Sequence, residues 1–306
     1  MSDRAATRSV SVVVPTLNGA GKIEATAARL DQARRADGVT YEVILVDDGS
    51  VDDTWAIIRR LCRQYPGFGG LRLRANVGQI GATLAGFSVA SGDVLVMMDD
   101  DLDVDPRSIP RLLDAIADGA DFASGTRSHR RSVVRDLGSH LFNRRVRSMG
   151  MPFTDTGCGM NAMTRRVAER LIPLGWAASN LRFKPSVHHL GVRVANVDVE
   201  GNPTKASHYR VRDLAAAWLD VEIGEGAIVP AVIVAAGMLT PVGLGYAAAL
   251  RGHRAVGSVL VAATAAPARV VVLQRAMSRR RSTSLPFEIL AAAKRRSPRD
   301  AGTDST

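Results

Sequence analysis

The chain has 306 residues, 46% hydrophobic and 23% charged, with 40 Lys and Arg against 30 Asp and Glu. This composition excludes wholesale disorder and suits one large domain, or one domain with an appendage. Cys62 and Cys158 are too few for a disulfide framework, no Cys/His cluster suggests zinc, and the polar residues 1–9 lack a secretory signal, so a cytosolic catalytic portion is expected.

In chain order, Val10–Val14 reads as a β-branched strand stopped by Pro15, and residues 22–36 as a helix. Tyr41–Val46 is a second strand, ending at Asp47-Asp48-Gly49-Ser50. Asp52–Gln64 follows as a helix with Asp52 or Asp53 as its cap. Leu71–Leu73 is a short strand, and Gly78–Ala90 a helix leaving a Gly-containing loop. Val94–Met98 is an apolar strand ending at Asp99, Pro106–Asp118 a helix, and Asp121–Ser124 opens another strand. Near-continuous apolar strands alternating with helices indicate an α/β fold, its sheet mostly parallel and covered on both faces. Ligands of such sheets bind beyond the carboxyl ends of the strands, where the acidic clusters at 47–48 and 99–103 both lie.

The C-terminal part changes character. Gly226–Leu250 is 25 residues without a charge, and after Arg251–Arg254 the segment Ala255–Gln274 is apolar except for Arg269. Each is long enough to cross a hydrocarbon core of ~30 Å, so a two-helix transmembrane hairpin is expected, with Arg269 snorkelling at its cytoplasmic end. A helical pair buried in a dimer or lying on the membrane surface is the alternative. The domain expectation is therefore a cytoplasmic catalytic domain over 1–215, an amphipathic linker and hairpin over 216–278, and a basic cytoplasmic tail over 279–306, disordered after Lys294. The location that follows is the cytoplasmic (inner) membrane, multi-pass, with the catalytic domain in the cytoplasm.

Positive charge is concentrated. Residues 127–147 hold seven Arg against Asp136 alone, and residues 279–300 hold six Arg and Lys294 against Glu288 and Asp300, a net charge of +5. Phosphates or an anionic leaflet suit such runs, and a solvated basic face is the plain alternative. Nucleic acid is not expected, because no aromatic residues interleave the basic runs as a stacking platform.

Asp99-Asp100-Asp101, followed by Asp103, is a loop of hard oxygen donors suited to Mg²⁺ or Mn²⁺, or else an acidic turn before a helix. Asp47-Asp48 at a strand end could accept a nucleobase N–H, or form only a turn and cap. His188-His189 read as part of an amphipathic helix face, Cys158 as a packed small residue, and Trp176 and Trp218 as interfacial or core residues.

The ordered set Val12–Asn18, DDGSVDDT at 47–54, Asn76–Gln79, Ala90–Asp93 and MMDDDLD at 97–103 strongly resembles the family 2 inverting glycosyltransferases of GT-A (Rossmann-like) fold. Gly125–Arg127, Asp155–Cys158 with Arg165-Arg166, and Ser207–Tyr209 before the hairpin extend the resemblance. They point to the polyprenyl-phosphate branch, over residues ~10 to ~275. The resemblance implies that Asp48, with Asp47, holds the base of a nucleotide-sugar donor, and that Pro15, Thr16 and Asn18 line its pocket. It implies that Asp99 and Asp101 hold Mg²⁺ or Mn²⁺ on the diphosphate, that Asp155 is the catalytic base or an orienting carboxylate, and that Arg127 meets a phosphate. Ser207, His208 and Tyr209 match an acceptor-side loop.

Two departures stand out. Gly19 replaces the family's usual Glu, and Asn202 and Lys205 replace its usual Arg and Gly; Lys205 could supply a displaced positive charge on the acceptor side. The expected function is metal-dependent inverting transfer of a sugar from a nucleotide sugar to polyprenyl phosphate at the cytoplasmic membrane face. Anionic lipids would be partners, and a homo-oligomer is compatible with the reading. The alternatives are dolichyl-phosphate-mannose-synthase-like use of GDP-mannose, a soluble or glycan acceptor, and a catalytically silent nucleotide-sugar sensor.

Overall fold

The computed structural model describes residues 9–37, 41–127, 143–144, 146–148, 150–173, 183–202 and 289–293. The chain divides into two compact units, Met1–Tyr209 with Leu285–Thr306, and Arg210–Ser284; every described residue belongs to the first. Both predicted membrane segments, Trp176, Trp218, most of the two basic runs, and Lys205, Ser207, His208 and Tyr209 lie outside the described residues. Among the described residues no helix is long and apolar enough to cross a membrane.

Eight described strands form one sheet: β1 Val10–Thr16, β2 Tyr41–Asp47, β3 Phe68–Leu73, β4 Val94–Met97, β5 Phe122–Arg127, β6 Asn161–Thr164, β7 Val194–Val199 and β8 Ile289–Ala293, in the order β7-β5-β6-β4-β1-β2-β3-β8. β1 pairs in parallel with β2 and β4, β2 with β3, and β5 with β7, whereas β6 runs antiparallel to β4 and β5, and β8 to β3. The sheet is thus mostly parallel, as the alternation of elements predicts, with two reversed strands that it does not.

Burial on both faces explains the unbroken apolar runs. Val12, Val13 and Val14 of β1 and Val43, Ile44, Leu45 and Val46 of β2 are all buried. Helices α1 Ile23–Asp37, α2 Thr54–Gln64 and α4 Ile109–Ala117 supply Ile23, Ala27, Leu30, Ile58, Leu61, Ile109, Leu112 and Ile116 to one core, at helical spacing. On the other face lies α3 Gln79–Val89, whose stretch Ile80–Phe87 is entirely buried. Helices α5 Arg165–Leu171 and α6 Phe183–His189 follow later in the chain.

Three boundaries move for identifiable reasons. The predicted 106–118 helix is a 3₁₀ turn over Pro106–Ser108 followed by α4. Pro110 has no N–H to bond the Pro106 carbonyl, and that carbonyl instead accepts from Ile109. β3 begins at Phe68, where a Gly-Gly pair hid the strand pattern. In α2 the carboxylate of Asp52 accepts from the Thr54 N–H at 3.1 Å, while Asp53, at the N-cap position, makes no side-chain cap bond.

Because β1, β2, β4, β5 and β7 share a direction, their carboxyl ends meet at one edge, and antiparallel β6 begins at that edge. The motif Ala90–Asp93 precedes β4 and lies at the opposite edge. There it is a structural turn: the Gly92 N–H donates to Ser11 Oγ at 2.8 Å, and Arg165 donates to the Ala90 carbonyl at 2.9 Å.

Candidate active site

The first wall of the site is built by the loops after β1 and β2. Asn18 takes a left-handed backbone, φ 48°; its N–H donates to Ser50 Oγ at 2.9 Å and its Oδ1 accepts from the Val51 N–H at 3.1 Å. Asp47 is fully buried; one oxygen accepts from the Ser50 N–H at 2.8 Å and the other stands 3.2 Å from Arg72 Nε. Asp48 accepts from the N–H groups of Val77 and Gly78 at 2.8 and 3.0 Å, pinning the loop that opens α3. Burial raises the Asp48 pKa, an effect opposed by those two N–H groups. Pro15 sits in register with Val46 at the same edge. The predicted base-side residues Pro15, Thr16, Asn18, Asp47 and Asp48 are therefore brought together.

The second wall is the acidic loop after β4, and each of its carboxylates has a different anchor. Asp99 accepts from Gln79 Nε2 of α3. Asp100 accepts from Thr16 Oγ1 at 2.6 Å and pairs with Lys22 Nζ at 3.1 Å, and its carbonyl accepts from Thr26 Oγ1 at 2.7 Å. Asp101 Oδ1 accepts from the Asp103 N–H at 3.0 Å. Asp103 receives Arg127 Nη1 at 2.7 Å. Gly19 belongs to this design: a Cβ there would stand 2.0 Å from Thr16 Oγ1 and 3.0 Å from Asp100 Oδ2. The departure at Gly19 is thus tied to the Thr16–Asp100 bond.

Asp99 is enclosed, and desolvation followed by repulsion from Asp101, Asp100 and Asp103 pushes its carboxyl up to about 7. Among the described residues no group of three or more His, Cys, Asp and Glu is placed to hold a metal ion. Asp99 and Asp101 nevertheless fit a hard divalent cation. Mg²⁺ is commonly held by one or two carboxylates plus substrate phosphates, and a cation is what this self-repelling cluster favours. In the metal-free chain the folded state keeps a proton on Asp99 that the unfolded chain releases above about pH 4, so this group's contribution to stability falls as pH rises toward 7. Bound Mn²⁺ favours the carboxylate. Titrations followed by electron paramagnetic resonance at pH 6, 7 and 8 are expected to show affinity weakening below pH 7, approaching about tenfold per unit if this single proton competes. An affinity independent of pH contradicts the assignment of Asp99.

Gly159 lets Asp99 lie where it does, since a Cβ there would stand 2.0 Å from Asp99 Oδ2 and 2.4 Å from its Cγ. Gly159→Ala is expected to displace this carboxylate and lower metal-dependent activity about 100-fold, within the range of misplaced catalytic groups. Adding Asp99→Ala should restore the thermal midpoint of Gly159→Ala without restoring activity, as differential scanning fluorimetry and turnover would show.

The third wall joins β5 to the loop before β6. Arg127, the last residue of β5, donates from Nε to Asp155 Oδ2 at 2.9 Å and from Nη2 to Asp155 Oδ1 at 3.2 Å, a two-point pair. Asp155 is 1% exposed, and its Oδ1 also accepts from the Gly157 N–H at 3.0 Å. Burial alone would lower the Arg127 pKa, but the Asp155 charge and hydrogen bonds hold it above the ordinary arginine value. Arg127 therefore carries a permanent positive charge, with two of its five N–H groups outside the bonds to Asp155 and Asp103. In this arrangement both oxygens of the Asp155 carboxylate are engaged by Arg127.

The chain leaves toward the predicted acceptor loop from beside this pair. The Asn202 N–H donates to the Asp103 carbonyl at 2.7 Å, and Val104 bridges to Gly201. Cys158 is buried, and burial pushes its thiol up to about 11, which accords with a packed residue. On α6, Phe183 and Val187 face inward and His189 is exposed, an amphipathic face as expected. Three participants escape sequence reading: Gln79, Asp100 and Lys184. Gln79 stands inside the Asn76–Gln79 motif and Asp100 inside the acidic run, each without an assigned role, whereas Lys184 carries no local signal.

Residues 11–171 match a protein-family model described as Glycosyl transferase family 2. An undecaprenyl-phosphate 4-deoxy-4-formamido-L-arabinose transferase of Pseudomonas paraeruginosa is 32% identical over 214 residues, 67% of this chain and 62% of the relative. The protein of that name from Aeromonas hydrophila is 35% identical over 166 residues, 53% of this chain and 51% of the relative. A dolichol-phosphate mannosyltransferase of Pyrococcus furiosus is 42% identical over 118 residues, 39% of this chain and 33% of the relative. The matches thus span from a third to under two thirds of these curated relatives. Among solved structures, glucosyl-3-phosphoglycerate synthase of Mycobacterium tuberculosis, in complex with Mn²⁺, UDP and phosphoglyceric acid, superposes with a TM-score of 0.50 at 21% identity, over 70% of this chain and 78% of that one. A mycobacterial protein gives 0.51 at 20% identity, over 70% of this chain and 72% of that one. These two likenesses concern the fold, which is GT-A-like.

Proposed function

This chain belongs to glycosyltransferase family 2, and we propose that it transfers a sugar, with inversion, from a nucleotide-sugar donor to polyprenyl phosphate at a membrane surface. The observation that carries the reading is the Arg127–Asp155 pair at the edge where the acidic loop and the base-side loops meet. It offers a fixed, permanently charged guanidinium for a phosphate. The names of the relatives, which are transferases to undecaprenyl or dolichol phosphate, support this acceptor class.

Asp47, Asp48 and Asn18 frame the base side of the donor pocket, between Pro15-Thr16 and the loop at 76–78. Asp99 and Asp101 would hold Mg²⁺ or Mn²⁺, which when bound supplies positive charge against the donor diphosphate. Arg127 receives the acceptor phosphate with its two remaining N–H groups, and Asp155 fixes the plane of that fork. A phosphate monoester has its second pKa near 6, so its oxygen is already largely ionised at neutral pH. That oxygen attacks the anomeric carbon on the face opposite the departing diphosphate; the new C–O bond forms as the old one breaks, and configuration inverts. No proton has to be removed from the acceptor, so the paired Asp155 serves as an orienting carboxylate. The rate then comes from positioning and charge.

Lys205, Ser207, His208 and Tyr209 belong in this reading to the acceptor side, reached from Asn202 beside Asp103. Gly226–Leu250 and Ala255–Gln274 form the membrane hairpin between the linker at 216–225 and the tail at 279–306, with the basic runs against anionic lipids and the catalytic domain on the cytoplasmic face. The test is a transfer assay. Detergent-solubilised protein is mixed with Mn²⁺, short-chain polyprenyl phosphate and a panel of UDP- and GDP-sugars, GDP-mannose included, and lipid-linked sugar is read by mass spectrometry. One donor is expected to give product. If none does while a nucleotide sugar still binds, the reading yields to a different acceptor or to a silent sensor.

A further inference from the structure

Among the described residues Lys184 is the only buried lysine, 4% exposed on the inner face of α6, beyond the span 11–171 that matches the family. Its ammonium donates to Ser124 Oγ at 2.9 Å and to the backbone carbonyl of Asp155, and it stands 5.7 Å from the centroid of the Phe153 ring. Among the described residues it forms no salt bridge. Burying an ammonium on neutral acceptors is unfavourable, and here burial lowers its pKa. A methionine or leucine would fill the same volume without that cost. The two acceptors are informative: Ser124 lies on β5 three residues before Arg127, and Asp155 is the residue that grips Arg127.

We propose that Lys184 is a positioning residue that ties β5 to the Asp155 loop from below, so that the Asp155 carboxylate and the Arg127 guanidinium meet as a two-point pair. Its consequence for turnover rests on the reading above, in which Arg127 receives the acceptor phosphate. Phe153 closes the cluster on one side, and the buried Cys158 thiol and Arg127 are the other titratable groups of the cluster. Lys184 thus fixes the orientation of a charge it does not touch.

The experiment uses the full-length protein in detergent and the variant Lys184→Met. Hydrogen–deuterium exchange is expected to quicken in residues 153–158 and to stay unchanged in β1, β2 and β4. Turnover is expected to fall about 10–100-fold with donor KM within about twofold, the pattern of a misplaced acceptor group. In an Asp155→Asn background the same substitution should remove less than about a further threefold, because residues acting as one unit are not additive. Multiplicative losses, exchange that quickens evenly across the sheet, or unchanged turnover and exchange would each overturn the proposal.

Should Lys184→Met fail to fold, Ser124→Ala removes one acceptor only. It is expected to show the same local exchange with a turnover loss of about threefold, and wild-type behaviour in both readouts overturns the proposal. If the unmodified protein transfers no sugar, the functional reading has failed while the exchange measurement still decides the structural tie. Local loosening at 153–158 then supports it and its absence overturns it.

Discussion

Replacing Arg127 with lysine is expected to lower sugar transfer by about 100- to 1,000-fold, the range for loss of one pre-oriented charge stabiliser, while leaving donor affinity within a few-fold. The substitution keeps the positive charge and removes the fork. Nε and Nη2 of Arg127 meet both oxygens of Asp155, and Nη1 meets Asp103. A lysine ammonium has three donors and no fixed plane, so it cannot hold both carboxylates as the fork does and still present two N–H groups to a phosphate. Turnover and donor binding should be measured on the same preparation, with circular dichroism to confirm folding. Lysine supporting transfer within about threefold of the native rate would show that charge alone suffices, and the oriented-fork account would fall.

Asp101→Asn is expected to abolish detectable transfer, a loss of at least about 1,000-fold given the several kcal/mol that a bound cation contributes to charge stabilisation. The amide keeps an oxygen that can accept from the Asp103 N–H, so the loop has no reason to unfold. What is lost, in the proposed metal site, is one of two anionic donors. Direct Mn²⁺ binding by electron paramagnetic resonance should weaken in parallel with activity, and extraction from membranes should still require detergent. Near-normal transfer by this variant would sink the metal assignment at Asp101.

Much of the catalytic half is legible in the sequence because burial on two faces leaves a plain mark. Val10–Val14, Tyr41–Val46 and Val94–Met98 read as apolar strands, the first stopped by Pro15 and the other two ending where a carboxylate interrupts them. The positions of Asp47, Asp48 and Asp99 at one sheet edge follow from parallel strands alone. β6 escapes because Asn161–Thr164 is four residues long with one β-branched side chain at its end, and its reversed direction has no local signature. Lys184 escapes for a related reason. A lysine on a short helix reads as a solvated charge, and only the packing of α6 against β5 and the Asp155 loop turns it inward.

Other residues were legible in identity and not in role. Gly19 reads as a departure from the family's usual Glu, and in the fold it gives room to the Thr16–Asp100 hydrogen bond. Asp100 looks interchangeable with its neighbours in a run of three, yet it ties the acidic loop to the β1–α1 segment through Thr16, Lys22 and Thr26. Asp155 reads either as a base or as an orienting group. Its burial and its pairing with Arg127 give the second role a geometry. Ala90–Asp93, part of the ordered motif set, turns out to be a turn at the far edge of the sheet.

The central claim is that the acceptor is a phosphate that needs no base. The most direct measurement offers the protein, with its identified donor and Mn²⁺, a polyprenyl phosphate and the matching uncharged polyprenol at equal concentration, and reads both products by mass spectrometry. The account predicts sugar on the phosphate alone. Product on the alcohol at a comparable rate would contradict it, since that reaction would require a base to take the hydroxyl proton and would leave Arg127 without a phosphate to hold.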